Sequence, residues 1–194
     1  MQHSLWPSDA GPTLTGIARA AIAHRLGMDV DQPPDTSAPW LREHGAAFVT
    51  LTEQQRLRGC IGSLEPWRPL IDDVRANAVS AAFHDPRFPQ VEAGEFRDVS
   101  IEVSVLTPAE PFPVRDEADA AARLHPGVDG VILESGRHRG TFLPQVWEQL
   151  PDPHQFLSHL KIKAGLPADH WGPDVRLSRY QVTAFSEEDT RRSS

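Results

Sequence analysis

The chain has one cysteine, Cys60, and it lies between two glycines in the stretch LRGCIGSLEP, residues 57–66. If this stretch is extended, alternation sends Arg58 and Cys60 to one face and Leu57 and Ile61 to the other. A guanidinium beside the sulfur favours the thiolate, the form that acts as nucleophile or metal ligand. A glycine inside a strand costs roughly 0.5–1 kcal/mol relative to alanine and often marks a bulge or a close approach to the backbone. Gly59 and Gly62 are therefore expected to leave room beside the sulfur, as binding positions next to the candidate catalytic residues Cys60 and Arg58. The plainer alternative is a small buried hydrophobe, with Gly62 opening the turn into SLEP.

Three further charged residues are candidates. Glu102 sits in the alternating run VSIEVSVL, opposite in face to Val99, Ile101, Val103 and Val105. It is either part of a solvated outer face or a carboxylate set near Arg58 or Cys60 as an orienting partner or base. Asp85 and Arg87 follow a helical segment in HDPRFP, where aspartate before proline favours a turn. They either brace that turn or form a ligand clamp beside Cys60, Arg87 offering a planar fork to a carboxylate or phosphate. The pair His84 and Asp85 is too short a motif for a metal phosphohydrolase. His154 and His159 are five apart and so fall on different helix faces rather than forming an i, i+4 metal pair. Trp67, just after the cysteine motif, is a candidate pocket wall.

The elements that must position these residues follow from periodicity and punctuation. Leu14, Ile17, Ala18, Ala21, Ile22 and Leu26 recur at helical spacing, with Thr13 as the expected cap and Gly27 as the stop. AAFVTLT and LRGCIG, separated by the polar EQQR, predict a hairpin. Leu70, Val74, Asn77 or Ala78, and Ala81 predict a second helix, ended by DPRFP. VSIEVSVL predicts a strand. After the proline-rich TPAEPFP come a short helix in DEADAAARL and a hairpin of GVILES and GTFLP around GRHR. Two more short helices follow, in PQVWEQL and DPHQFLSHLKIKAGL; Asp152 caps the latter, with Pro153 at its first position and Gly165 past its end. RLSRYQVTAF predicts one last strand. Hairpins dominate over strand-helix-strand alternation, so the expected class is α+β with a largely antiparallel sheet. Residues 1–12 are expected to be an extension, residues 13–186 the domain and residues 187–194 a disordered tail.

Composition excludes several functions. The 194 residues are 39% hydrophobic and carry a formal net charge of -8 with scattered positive charges, which argues against a nucleic-acid surface. No apolar run approaches the ~20 residues of a membrane helix, and the first residues lack the features of a secretory signal. The expectation is a cytoplasmic protein with no membrane partner. One cysteine excludes an internal disulfide and a cysteine-rich zinc or iron-sulfur site from this chain alone. No glycine-rich run has the context of a phosphate loop. No cofactor and no metal are expected.

LRGCIGSLEP, SAAFHDPRFP, IEVSVLTP, GVDGVIL, TFLPQVW and LKIKAGL occur here in an order that resembles the AMMECR domain family, from about the first helix through RYQVTAF. Bacterial and archaeal members of that family are called AmmeMemoRadiSam system protein A. The resemblance implies a two-lobed α+β fold whose larger lobe is an antiparallel sheet flanked by helices. It also implies an association with a Memo-type protein and a radical S-adenosylmethionine protein, and it assigns no biochemical activity. Its hallmark falls on Leu57, Arg58, Gly59, Cys60, Ile61 and Gly62; Asp85, Arg87 and Phe88 match its helix-ending motif and Glu102 its acidic strand position. Three readings stand. Cys60 is the reacting thiol of an enzyme for a small anionic substrate, with Arg58 binding the anion and Glu102 or Asp85 handling protons, in a cleft. Alternatively the chain is a non-catalytic ligand- or protein-binding partner of the Memo-type and radical proteins, or its motif serves packing alone.

Overall fold

The structure is a computed structural model that describes residues 6–30 and 32–187. The chain divides into two compact units, residues 1–106 with 183–194, and residues 107–182. The class is α+β with antiparallel pairing, as the hairpin pattern predicts.

The first unit begins with α1 (Ala10–Arg25), followed by a 3-10 turn at Pro39–Arg42. Then come β1 (Ala46–Glu53), β2 (Arg56–Gly62), α2 (Leu70–Phe83) and β3 (Val99–Leu106). The α1 helix starts three residues before the expected cap Thr13. Pro12 does not stop it, because a proline in the first turn lacks only an N–H that has no helical acceptor. Gly27, at φ 69°, ends it as expected. The helical spacing of Leu70, Val74, Asn77, Ala78 and Ala81 is the buried face of α2. Val99, Ile101, Val103 and Val105 of β3 lie in the same core, together with Val49 and Leu51 of β1 and Leu14, Ile17 and Ile22 of α1. The opposite face of β3 is not uniformly solvated, since Ser104 and Leu106 are buried as well.

The second unit contains β4 (Glu110–Pro111), α3 (Glu117–Arg123), β5 (Gly130–Ser135), β6 (His138–Phe142), α4 (Pro153–Lys163) and β7 (Arg176–Tyr180). Its sheet runs β4-β7-β5-β6. Its core is built around Trp147 stacked on Phe156 at 3.7 Å. PQVWEQL forms a 3-10 turn at Pro144–Glu148. Asp152 caps α4 by accepting from the Gln155 N–H.

The predicted last strand is two strands. β7 ends at Tyr180, and β8 (Val182–Ser186) joins the first unit's sheet, whose order is β2-β1-β3-β8. The break is at Gln181, whose carbonyl accepts from the Thr107 N–H at 2.8 Å and whose N–H donates to Thr107 Oγ1 at 2.9 Å. Glu187, placed in the tail by sequence, accepts from both Arg19 and the Ile101 N–H, and the Arg19 Nη2 also donates to the Val99 carbonyl at 2.6 Å. The rest of the predicted tail, residues 188–194, lies outside the described residues.

The β1–β2 hairpin closes through Gln54 and Gln55, at φ 49° and 63°, between the paired Glu53 and Arg56. Two consecutive left-handed residues make the tight turn that matches strand twist, a place usually taken by Asn-Gly. Replacing Gln55 by glycine is expected to stabilise the fold by about 1 kcal/mol, read as a rise of roughly 2–4 °C in the melting midpoint. An unchanged midpoint would show that the turn carries no such penalty.

Candidate functional site

The site is set by the register of β2 on β1. Glu53 pairs with Arg56 and Thr52 with Leu57, but Leu51 pairs with Gly59 and Thr50 with Cys60. Arg58 is therefore an extra, unpaired residue, a β-bulge. An unbroken ladder would set Arg58 opposite Leu51 and Cys60 opposite Val49, both on the fully buried, helix-facing side. The bulge moves Cys60 to the other face, into a row with Thr50 and Glu102, which is the β3 partner of Thr50. The two-residue alternation that would make Arg58 and Cys60 neighbours does not hold across it.

Arg58 is engaged elsewhere. Its Nε and Nη2 donate to the two carboxylate oxygens of Glu95, at 3.1 and 2.7 Å. Nη1 donates to the Pro89 carbonyl at 2.7 Å and Nη2 to the Gln90 carbonyl at 3.2 Å. The expectation that it accompanies the sulfur is corrected: Arg58 ties the bulge to the segment after α2. Its hydrogen bonds hold the Glu95 carboxyl below the ordinary range.

The glycines are packing positions, so the expected room beside the sulfur is filled. A Cβ on Gly59 would lie 2.2 Å from the carbonyl oxygen of Ala81 in α2. A Cβ on Gly62 would lie 2.2 Å from the ring of Phe48, its partner on β1.

Around Cys60 the structure gathers three other side chains. Cys60 is half-buried, and its sulfur is 3.3 Å from Thr50 Oγ1. The Cys60 N–H donates to Asp85 Oδ2 at 3.0 Å, and its carbonyl accepts from Arg87 Nη2 at 3.3 Å. Asp85 is buried and takes a fork from Arg87, Nε to Oδ1 at 3.0 Å and Nη2 to Oδ2 at 2.7 Å. Because β2 is an edge strand, this pair also covers backbone groups that would otherwise be open to another strand. The hydrogen bonds from Arg87 hold the Asp85 carboxyl far below the usual carboxylate range, helped by the Cys60 N–H against the opposing effect of burial. Arg87 is raised in turn, first by its bonds to Asp85, against the opposing effect of burial. Its side chain is 55% exposed, and among the described residues no hydrogen-bond partner is found for its Nη1.

Glu102 shares the row but not the contact. It is two strands from Cys60, about 10 Å by strand spacing, and its Oε1 accepts from Ser104 Oγ at 3.4 Å. Trp67 is 64% exposed, with Arg68 over its ring at 4.5 Å. Among the described residues no group of three or more His, Cys, Asp or Glu side chains is placed to hold a metal ion, and no helix is long and apolar enough to cross a membrane. In the second unit Ser135 Oγ donates to Asp174 at 2.7 Å and meets His170 Nε2 at 3.2 Å. There the serine is central and buried, whereas a nucleophilic triad needs the histidine in the middle.

The sequence profile of the AMMECR1 family matches residues 15–185. The chain belongs to the AMMECR1 family. A protein of Methanothermobacter thermautotrophicus is 44% identical over 97% of this chain and 100% of its own length. Protein MJ0810 of Methanocaldococcus jannaschii is 42% identical, over 94% of this chain and 92% of its own. The crystal structure of an uncharacterized protein, PH0010 from Pyrococcus horikoshii, superposes with a TM-score of 0.76 at 36% identity, covering 92% of this chain and 91% of that one.

Sequence reasoning did not find Thr50, Glu95 or Phe48. The hairpin's two-residue turn is the one available signal for Thr50, and without the bulge it pairs Thr50 with Gly59 instead. Nothing local marks Glu95 as the partner of Arg58, 37 residues away.

Two outcomes follow from this geometry. Gly59→Ala is expected to destabilise the fold by about 3 kcal/mol, since its Cβ meets backbone rather than a movable side chain. Urea unfolding measures this, and a cost under about 1 kcal/mol would mean that α2 yields easily. For Asp85, a depressed folded-state pKa contributes stability that is present above the unfolded value of about 3.9 and lost as pH falls through the folded value. Urea midpoints are therefore expected to fall from about pH 4 downward more steeply for the native chain than for Asp85→Asn. Parallel slopes would contradict the pairing.

Proposed function

We propose that the protein is an enzyme in which Cys60 is the reacting thiol and Arg87, rather than Arg58, holds a small anionic substrate beside it. The single observation that carries this reading is the double hold on one residue. Asp85 and Arg87 fix the N–H and C=O of the half-buried Cys60 at once, leaving its side chain and the open Nη1 edge of Arg87 attached to the same short segment of β2. Thr50 orients the sulfur, and Glu102 supplies a carboxylate in the same row. A cytoplasmic location belongs to this reading, because a reducing compartment keeps a single thiol free.

A second reading makes the chain a non-catalytic partner of Memo-type and radical S-adenosylmethionine proteins, as in an AmmeMemoRadiSam system. What favours it is Trp67, exposed on a loop whose Arg68 is held by the buried Asp73 at 2.8 Å. Rigidly presented Trp and Arg residues are the types that dominate interface energies.

Alkylation of the folded protein by iodoacetamide, followed by intact mass, separates the two. The enzyme reading expects stoichiometric modification of Cys60 at neutral pH, slowed about threefold or more by Arg87→Ala, and protection by inorganic phosphate that this variant loses. Modification only after unfolding in urea would overturn it. The partner reading expects Trp67→Ala to abolish binding to a Memo-type protein while leaving alkylation unchanged.

A further inference from the structure

The first unit contains a second candidate site that owes nothing to the cysteine. A half-open pocket of about 440 Å³ is lined by Ile17, Ala20, Ala21 and His24 of α1, by Pro33, Pro34 and Thr36 of the following loop, and by Arg75 of α2. The loop is seated on the helix at Gly16, where a Cβ would approach Pro34 to 3.3 Å. A glycine inside a helix costs roughly 1 kcal/mol relative to alanine, and here the close approach of Pro34 gives it a purpose. The loop is also turned by Asp35, whose Oδ1 accepts from the Ser37 N–H at 2.8 Å, so that carboxylate is engaged locally.

The walls from Ile17, Ala20, Ala21 and the prolines are apolar, whereas the polar residues are His24, Arg75 and Thr36, with no carboxylate among the described lining residues. Among the described residues Arg75 has a loose ion pair with Asp72, at 3.7 Å, with both side chains about half exposed. Ligand sites are typically concave, mainly apolar, about 300–1,000 Å³ in volume, and furnished with a few orienting polar groups. From this combination we infer that the pocket between α1 and the Pro33–Thr36 loop binds a small apolar monocarboxylate, its hydrocarbon against Ile17, Ala20 and Ala21 and its carboxylate toward Arg75.

The test is a titration of the full chain with hexanoate and with hexanamide, followed by amide proton–nitrogen spectra. Hexanoate is expected to produce saturable shifts confined to residues around Ile17, Ala21 and Thr36, with the amide binding about fivefold or more weakly. Arg75→Gln, on the exposed face of α2, is expected to erase the preference for the acid without changing the unliganded spectrum elsewhere. Ala21→Trp, which fills the pocket, is expected to abolish both titrations. The proposal is overturned by an absence of saturable shifts up to about 20 mM, by equal affinity for the amide, or by an acid preference that survives Arg75→Gln. Cys60 alkylation is read separately, so failure here leaves the thiol reading untouched, and the reverse also holds.

Discussion

Between Leu57 and Gly59 the second strand takes up one residue more than its partner offers, and the cause of that break is visible on the other side of the sheet. The backbone of α2 comes so close to β2 that only a residue without a Cβ fits beneath the Ala81 carbonyl. Gly59 must therefore occupy the helix-facing position opposite Leu51, and the ladder reaches that pairing only by passing over Arg58. Because side chains alternate with a period of two, this single slip exchanges the faces of everything beyond it. The sulfur leaves the core and joins Thr50 and Glu102. The close packing of helix on strand thus governs both the stability of the first unit and the chemistry it presents.

A common device holds this arrangement in place, namely a carboxylate that accepts from backbone and side-chain donors at a strand end or edge. Asp85 does so for Cys60 and Glu187 for Ile101. Asp73, fully buried in α2, accepts from the Ala47 N–H, Ser63 Oγ, Arg68 Nε and Asn77 Nδ2. Each anion lies against an arginine, and each satisfies groups that would cost heavily if left without a partner. These are fixed points rather than hinges. The thiol segment and the Trp67 loop both hang from them.

Periodic elements were readable from the amino-acid order because their signals are local. The apolar spacing of Leu70 through Ala81 and the alternation of Val99 through Val105 each mark a buried face unaided. What escaped was long-range. The bulge arises from a helix carbonyl 22 residues from Gly59, and the destination of Arg58 depends on Glu95. The division of RLSRYQVTAF between two sheets turns on Gln181 meeting Thr107, which no property of Gln181 announces. Of the candidate residues, Cys60, Asp85 and Arg87 are joined by hydrogen bonds, whereas Arg58 bonds to Glu95 and Gly59 and Gly62 pack against Ala81 and Phe48.

The route of the chain also fixes an order of assembly. The second unit is one continuous segment and has all its residues once Val182 has been made, whereas the first lacks its strand β8 until the second unit is complete. Until β8 is made, the emerging polypeptide carries β3 with an unpaired edge, a template for unwanted association. Arrival of β8, pinned by Glu187 onto Arg19 of α1, seals that edge. Completion of the first unit's sheet therefore waits until the whole of the second unit has been made.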